Sequence, residues 1–280
     1  MQSENHLSRE LDVARAVARE ASALVGTFSG RSLAVQHKTG GEPVSQADLA
    51  SSDLIVRRLA EAFPDDAILS EEVPDDGARL TKPRVWMIDP IDGTRDFLRG
   101  EDGYAVMIGL CVEGRPVLGV VAQPATGDTW LGVVGDGAWH ERADGHRTAL
   151  RVSAVTQASA IRLVASKSHR TDYYARFSRS LGITDEIAQG SVGLKVAMVS
   201  QGLRDLYVYP GSHAKIWDSC GPEAILIAAG GTITDSDGQP LRYTQPELRN
   251  LRGMIASNGR VHELALEATR ACAELKRAHG

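Results

Sequence analysis

The sequence predicts an α+β arrangement that is followed by an α/β arrangement. Residues 7–63 carry the three-to-four-residue periodicity of amphipathic helices, and residues 67–134 consist of short apolar runs separated by turn residues. After about residue 150, strand-like and helix-like patterns alternate. We therefore expect an N-terminal half in residues 1–150 and a C-terminal half in residues 151–280, packed as one continuous unit.

Two amphipathic helices are predicted at the start of the chain. The first runs from residue 7 to near Gly30, a residue type that commonly ends helices. The apolar residues of its buried face are Leu7, Leu11, Ala14, Ala18, Ala21, Val25 and Phe28. The second begins at Ser45, because Asp48 three positions later resembles the partner in a capping box, and it continues to Pro64.

Five strands are predicted between residues 67 and 134, because hairpin-like connections interrupt the apolar runs at residues 113–115 and 124–128. The predicted strands are residues 67–69, 85–88, 104–112, 117–122 and 129–134. They favour a mainly antiparallel sheet with both helices on one face.

The second half is predicted to alternate between strands and helices, and this alternation favours an α/β layer. The predicted strands are residues 162–165, 205–209, 232–234 and 254–256. The predicted helices are residues 172–181, 194–201, 217–229 and 261–278.

The composition is typical of a globular protein, since the 280 residues are 42% hydrophobic and 24% charged. A formal net charge of −5 argues against broad binding to the phosphate backbone of nucleic acids. The three cysteines, Cys111, Cys220 and Cys272, lack the spacing of a zinc site or disulfide framework and favour a reducing compartment. Without an apolar signal core or a run of about 20 apolar residues, we expect a cytoplasmic protein with no membrane span.

Residues 86–94, Trp-Met-Ile-Asp-Pro-Ile-Asp-Gly-Thr, form the most informative segment for chemistry. Asp89 and Asp92 follow a short apolar strand, and the proline between them stiffens the turn on which they lie. Such a turn can direct both carboxylates and the Ile91 carbonyl at one hard cation. The alternative is a simple Asp-Pro turn in which Asp92 is a helix N-cap.

Further acids and a phosphate-binding turn extend this pattern. Gly93 and Thr94 are predicted to open a helix whose free N–H groups suit a phosphate. Taken alone, Glu71 would be a surface acid, Asp48 a helix-start acid and Asp218 a helix N-cap. Glu71 and Asp218 nevertheless join the two aspartates before Gly93 as hard oxygen ligands for two or three Mg²⁺ ions, which could clamp a phosphoryl group and activate a water.

Two turns in the second half combine small residues, hydroxyl groups and cations. They are Ala-Ser-Lys-Ser-His-Arg at residues 165–170 and Gly-Ser-Val-Gly-Leu-Lys at residues 190–195. Both suit a second anionic group on a ligand. The alternative is that both are loops with solvated basic side chains, and His169 would then be a surface residue instead of one that stacks on a base.

Three spaced motifs resemble the signature of the inositol monophosphatase-like, lithium-sensitive phosphatases, and the resemblance covers nearly the whole chain. The motifs are Ser-Glu-Glu at residues 70–72, Asp-Pro-Ile-Asp-Gly-Thr at residues 89–94 and Trp-Asp at residues 217–218. Arg-Asp-Phe at residues 95–97 departs from the Thr-Asn-Phe of many members, at a point after the metal ligands. The resemblance implies a layered αβαβα sandwich with Mg²⁺ as cofactor. The metal ligands that it implies are Glu71, Asp89, Asp92, Asp218 and the Ile91 carbonyl.

The second half is most similar to the CysQ-type 3′(2′),5′-bisphosphate nucleotidases of this superfamily. Residues 166–170, 190–195, 216–224, 235–241 and 256–259 carry the similarity. It implies removal of the 3′-phosphate from 3′-phosphoadenosine 5′-phosphate to give AMP, with the sulfated nucleotide as a further substrate. Inositol monophosphatase or fructose 1,6-bisphosphatase activity remains an alternative, and a non-catalytic, metal-dependent phosphate sensor is the alternative of another class.

The resemblance also implies roles for individual residues. Thr94 and Glu71 would orient or deprotonate the attacking water, Asp48 would complete that network, and the N–H groups of Gly93 and Thr94 would hold the scissile phosphate. The remaining predicted substrate-binding residues are His169 for the adenine, Arg170 and Lys195 for the 5′-phosphate, Ser191 and Asp218. We expect a small-molecule phosphate substrate and no nucleic-acid partner, and a homodimer remains an option.

Overall fold

A computed structural model of the chain describes residues 7–30, 35–37, 43–167 and 172–278. The helices in these ranges are α1 (Ser8–Gly26), α2 (Gln46–Ala62), α3 (Thr94–Leu98), α4 (Asp172–Leu181), α5 (Val192–Ser200), α6 (Ile216–Ala228) and α7 (His262–Ala278). The strands are β1 (Val35–His37), β2 (Pro43–Ser45), β3 (Ala67–Ser70), β4 (Arg84–Asp92), β5 (Ala105–Val112), β6 (Arg115–Gln123), β7 (Asp128–Val133), β8 (Gly137–Glu141), β9 (Arg147–Ala149), β10 (Arg162–Ser166), β11 (Asp185–Gln189), β12 (Leu206–Tyr209), β13 (Thr232–Thr234) and β14 (Met254–Ser257). Every predicted helix and strand is present, with boundaries that shift by a few residues.

The first sheet contains β3 to β9 in sequence order. β3 and β4 run parallel, and each later pair of neighbours runs antiparallel, so the predicted sheet type is confirmed. The sequence interpretation missed β8 and β9. β8 begins at a glycine, and all three residues of β9 are exposed at the sheet edge, so neither strand presents an apolar run.

Helices α1 and α2 cover one face of the first sheet, as predicted. The buried residues of α1 are Leu11, Ala14, Val17, Ala18, Ala21 and Val25, and they join one core cluster with apolar residues of both α2 and the sheet. α1 ends at Gly26 rather than near Gly30, because the N–H groups of residues 27–29 bond to carbonyls only three residues back.

Helix α6 packs on the opposite face of the first sheet, against a row of glycines. Gly109, Gly119 and Gly132 lie side by side on β5, β6 and β7. A Cβ atom on Gly119 would lie only 1.9 Å from the Gly221 carbonyl oxygen. The missing side chains therefore let α6 contact the sheet backbone directly, which brings the start of α6, with Asp218, towards the first half of the chain.

The second sheet is mixed, in the order β11-β10-β12-β14-β13. β10 runs parallel to both of its neighbours, whereas β14 runs antiparallel to β12 and β13. The sequence interpretation missed β11, because this edge strand reads Asp-Glu-Ile-Ala-Gln and is only partly buried. The predicted alternation of strands and helices is otherwise observed.

The layers follow the order predicted for an αβαβα sandwich. Helices α5 and α6 lie between the two sheets, since both contact strands of each. α4 and α7 pack together on the outer side of the second sheet, where Phe177 and Leu266 share a core cluster with residues of β10, β12 and β14. α6 thus contacts strands of both sheets, and the division into two halves packed as one unit stays a prediction. In the part of the chain that the structure describes, no helix has both the length and the apolar character needed to cross a membrane.

Candidate active site

One cleft collects most of the residues that the sequence nominates for function. It lies where the end of β4 meets the beginnings of α3, α5 and α6. The nominated residues that line it are Glu71, Asp89, Ile91, Asp92, Gly93, Thr94, Lys195 and Asp218. Asp48 and Ser191 lie directly behind this lining and hydrogen-bond to Thr94 and Asp92 respectively. His169 and Arg170 lie outside the described residues.

The end of β4 directs the first two aspartates. β4 continues to Asp92 instead of ending at residue 88, because Asp92 still pairs with Ala105 after an irregularity in the register. A bulge of this kind suits the intervening proline, which has no N–H to donate to a ladder. Asp89 Oδ1 accepts the Ile91 N–H at 3.0 Å, which fixes the carboxylate against its own turn.

Asp48 combines two interpretations that the sequence left as alternatives. It is a helix-start acid, because its Oδ2 accepts the N–H and the hydroxyl of Ser45 at 2.8 and 2.6 Å in a capping box. It also reaches the site, because Thr94 Oγ1 lies 3.1 Å from Asp48 Oδ1 and the same distance from the Ile91 carbonyl oxygen. The capping box therefore holds Asp48 rigidly beside the Thr94 hydroxyl.

Neither Asp92 nor Asp218 is a helix N-cap, so that alternative is wrong for both. The N-cap of α3 is Gly93, whose φ of 95° and whose contact with the Gly103 carbonyl exclude a side chain. The N-cap of α6 is Lys215, and Asp218 is the third helical residue. Its Oδ2 accepts the Lys215 N–H at 2.8 Å, as an acid at this position of a capping box does.

Asp92 is bound to the start of α5. Ser191, the N-cap of α5, donates its hydroxyl to Asp92 Oδ2 at 2.5 Å and accepts the Leu194 N–H at 3.2 Å. The Gly193 N–H also reaches Asp92 Oδ2, at 3.1 Å. Burial raises the pKa of Asp92 even though Lys195 and these hydrogen bonds favour its charged form. The fully buried Ser191 thus links the turn that carries Asp89 and Asp92 to the second half of the chain by a hydrogen bond.

The acids of the cleft are crowded enough to repel one another. Burial raises the pKa of Asp89 well above its usual range, and repulsion from Glu71, Asp92 and Asp218 raises it further. Burial and the charges of Asp92 and Glu71 likewise raise the pKa of Asp218, although the Lys215 N–H and a hydrogen bond with Asp89 oppose this. A divalent cation would relieve this repulsion, and carboxylate oxygens are the ligands that Mg²⁺ prefers.

The cleft matches the preferences of Mg²⁺ in the type of ligand atom, carboxylate oxygen, and in its negative charge. As the side chains stand, the described ranges contain no group of three or more Asp, Glu, His or Cys residues that is arranged to hold a metal ion. The acids instead line a common cleft and hydrogen-bond to the backbone and to one another. The fit of the cleft to a divalent cation therefore rests on its carboxylate oxygens and their charge.

Lys195 occupies a different environment from the predicted turn. Lys195 lies within α5 and is only 1% exposed. Its Nζ donates to the Gly190 carbonyl and lies 5.1 Å from the centre of the Tyr207 ring. Burial lowers the pKa of Lys195 to about 8, although the charge of Asp92 opposes this decrease. The alternative of a solvated lysine is therefore wrong, and the predicted contact with a 5′-phosphate stays a prediction.

The sequence interpretation missed several cleft residues. Tyr207, Tyr209, His213 and Lys215 line the side towards β12 and α6. For His213 and Lys215, the sequence offered one signal, which is that both stand within five residues before Asp218.

Asp96, in the segment that departs from the family motif, also lines the cleft and is 1% exposed. Among the described residues, Asp96 Oδ2 has no hydrogen-bond partner, and Lys167 Nζ lies 3.9 Å from it. Burial raises the pKa of Asp96, while the charge of Lys167 opposes the increase. The departure from the motif at residue 96, which follows the predicted metal ligands in the sequence, therefore adds an acid to the cleft.

Comparisons with known proteins agree on one family. The model of the Inositol monophosphatase family matches residues 6–274. A 3′(2′),5′-bisphosphate nucleotidase CysQ from Aggregatibacter actinomycetemcomitans is 32% identical over 235 residues, which cover 82% of this chain and 86% of that protein. A histidinol-phosphatase from Streptomyces coelicolor is 35% identical over 250 residues, which cover 86% of this chain and 89% of that protein.

A solved structure extends the agreement to the fold. An IMPase of Thermotoga maritima superposes with a TM-score of 0.81 at 27% identity, covering 95% of this chain and 98% of that chain. Because the superposition covers nearly all of both chains, the layered fold that the motifs implied is confirmed.

Proposed function

We propose that this chain, which belongs to the inositol monophosphatase family, is a Mg²⁺-dependent phosphatase of 3′-phosphoadenosine 5′-phosphate. The reaction would remove the 3′-phosphate and give AMP. The observation that carries the proposal is the cleft in which the four predicted ligand acids meet the hydrogen-bonded pair of Thr94 and Asp48. The CysQ relative, named as a bisphosphate nucleotidase, supports the choice of substrate.

The metal would be held by the acids of the cleft. Enzymes of the family are generally metal-dependent, which supports a metal in this chain too. The proposed ligands are Glu71, Asp89, Asp92, Asp218 and the Ile91 carbonyl, for two or three Mg²⁺ ions. When bound, the metal would supply positive charge at the phosphoryl oxygens and lower the pKa of a water.

The chain's own groups would position the reactants and move one proton. Thr94 Oγ1 can accept a proton from the attacking water while it donates its own towards Asp48 Oδ1, 3.1 Å away. Glu71 would orient the same water from the end of β3. The N–H groups of Gly93 and Thr94 would hold the scissile phosphate, so that much of the catalytic effect comes from positioning and charge neutralisation.

The ligand side of the cleft suits a nucleotide. Tyr209 and His213 provide aromatic surface on which a base can stack. We assign the 5′-phosphate to Lys215, which lines the cleft and is partly exposed. The Lys195 ammonium is already bound to the Gly190 carbonyl, so we assign it to offsetting the charge of the acids from below. His169 and Arg170 remain predicted ligand-side residues.

A second candidate substrate is an amino-alcohol phosphate. The histidinol-phosphatase of Streptomyces coelicolor is similar over 86% of this chain. The additional acid at Asp96 favours a cationic leaving group over a second phosphate, because a buried carboxylate attracts an ammonium group and repels an anion. Inositol phosphate remains a candidate through the similarity to the Thermotoga IMPase.

A side-by-side measurement of kcat/KM tests these assignments. The substrates are 3′-phosphoadenosine 5′-phosphate, its sulfated form, inositol 1-phosphate, fructose 1,6-bisphosphate and histidinol phosphate, each at saturating Mg²⁺. The proposal expects the first substrate to be preferred by at least about tenfold. A preference for histidinol phosphate or inositol 1-phosphate would replace the substrate and keep the phosphatase. Metal binding without phosphate release from any of them would instead support the phosphate sensor.

A further inference from the structure

The first turn of α6, which carries Asp218, lacks part of its own hydrogen-bond ladder. Pro222 lies inside α6 and has no N–H, so the Asp218 carbonyl loses its usual partner four residues ahead. The N-cap Lys215 has no side-chain acceptor for the free N–H groups of this turn. The first turn of α6 therefore lacks one helix bond, although Asp218 Oδ2 accepts the Lys215 N–H at 2.8 Å and Ser219 Oγ donates to the Ile216 carbonyl at 3.2 Å.

Backbone of the segment 241–250, between β13 and β14, binds the chain just before α6. The Ile216 N–H donates to the Leu248 carbonyl at 2.8 Å, and the Asn250 N–H donates to the Ala214 carbonyl at 2.8 Å. Asn250 Nδ2 also reaches the Lys215 carbonyl at 3.1 Å. These bonds fix the chain on the N-terminal side of Asp218.

Side chains of the same segment bind the residue that follows Asp218. Asn250 Nδ2 donates to Ser219 Oγ at 3.1 Å, and Tyr243 Oη lies 3.1 Å from the same oxygen. Tyr243 also donates its hydroxyl to Glu223 Oε2 at 2.5 Å, one turn further along α6. All four side chains are at most 6% exposed, so water does not compete for these bonds.

We propose that Tyr243 and Asn250 are positioning residues for Asp218, so that the segment 241–250 sets the affinity of the cleft for divalent metal. The inference rests on the Mg²⁺ site of the proposed function. A shift of the first turn of α6 would break bonds on both sides of Asp218 at once, and partners behind metal ligands commonly change metal affinity by 10–100-fold. Neither residue lines the cleft, so both would act through Asp218.

The test is Mg²⁺ binding to the substrate-free chain, by titration calorimetry and by the rise of Tm with Mg²⁺ concentration. Tyr243→Phe and Asn250→Ala should each weaken Mg²⁺ binding by about tenfold. Ser219→Ala removes the shared hydroxyl at almost constant volume and should also weaken Mg²⁺ binding. It replaces Tyr243→Phe or Asn250→Ala in the test if either of them folds poorly. Urea unfolding of each variant measures the accompanying loss of stability.

The matched control is Tyr174→Phe. Tyr174 lies on α4, away from α6, and its buried hydroxyl donates to the Val208 carbonyl at 2.8 Å. It should lose stability without a change in Mg²⁺ affinity. Unchanged Mg²⁺ affinity in Tyr243→Phe and Ser219→Ala, with stability losses like that of the control, would overturn the positioning role. Absence of Mg²⁺ binding in the wild-type chain would instead overturn the metal site of the proposed function.

Discussion

The two halves of the chain hold their parts of the cleft in different ways. In the first half, the acids depend mainly on nearby backbone: Asp89 and Asp92 flank an irregularity in one strand, and Asp48 is fixed by a capping box with Ser45, three positions earlier. In the second half, Asp218 also accepts a local N–H from Lys215, but the residues on both sides of it bond to positions more than twenty residues away, among them Asn250. The first half therefore relies mainly on local turns, although Asp92 also bonds to Ser191 and Gly193 of α5, whereas the second half adds contacts with a remote segment to its local capping box.

This difference indicates where sensitivity to change should lie. A local turn keeps its geometry when distant contacts are altered, so function in the first half should fail mainly when a ligand itself is changed. Elements held by packing move when a remote partner is lost, so the second half should respond to substitutions outside the cleft. The four predictions below test this contrast, from the largest expected effect to the smallest.

Metal removal tests the shared requirement of both halves. Activity should disappear in EDTA and return with Mg²⁺, because the repelling acids need a dication to act together. Excess Ca²⁺ should inhibit, since its longer and looser coordination spoils a geometry set for Mg²⁺. The family resemblance adds inhibition by Li⁺. Phosphate release is the measurement, and full activity in EDTA would remove metal catalysis for both halves.

Asp92→Asn tests the local construction of the first half. We expect kcat/KM to fall on the order of 10³-fold, because the change removes a ligand charge without removing the side chain. Circular dichroism and urea unfolding should show an intact fold. Asp65→Asn, at an exposed turn, is the matched control and should keep wild-type activity. Wild-type turnover of Asp92→Asn at limiting Mg²⁺ would show that Asp92 is not a metal ligand.

Two lysines test how the second half selects its substrate. Lys215→Ala should lower kcat/KM for 3′-phosphoadenosine 5′-phosphate about tenfold or more relative to inositol 1-phosphate, because a charge-assisted bond is worth about 1.5–3 kcal/mol. Lys195→Ala should lower both values equally, since its buried ammonium serves the common acids. A selective loss in Lys195→Ala would restore the direct contact with the 5′-phosphate that the sequence predicts.

The prediction with the smallest effect on activity concerns the stability of the packing around α6. Burial raises the pKa of Glu223 to about 7, from an ordinary value of 4.5. The folded state therefore binds this proton more tightly than the unfolded state, so the stabilising contribution is complete below about pH 4.5 and is lost as the pH rises through about 7. The loss is on the order of 3 kcal/mol.

Glu223→Gln should lack this decline and keep an acceptor for the Tyr243 hydroxyl. The measurement is the free energy of urea unfolding of both proteins at several pH values in EDTA. The other buried acids titrate in both proteins, so the difference between the two curves isolates Glu223. If the free energies of unfolding of the two proteins change with pH in parallel, burial does not raise the pKa of Glu223 in the folded protein, and this prediction is wrong.

Sequence patterns were sufficient where structure follows from local periodicity. The two N-terminal helices and the hairpin strands were predicted because their apolar residues recur over many positions. β9 and β11 were missed because edge strands with exposed or charged residues have no such pattern. Asp48 was nominated both as a helix-start acid and as a site residue, and its two carboxylate oxygens allow it to be both.

The sequence by itself determined the family and the layered fold and predicted the acids of the cleft, because the three spaced motifs and the apolar periodicity can be read directly from the order of residues. What only the tertiary structure decided is which groups those residues meet. Ser191 contacts Asp92, Lys195 is buried beneath the acids, and Tyr243 supports the turn of Asp218. Burial and hydrogen-bond partners depend on segments far apart in the chain, and no local pattern encodes them.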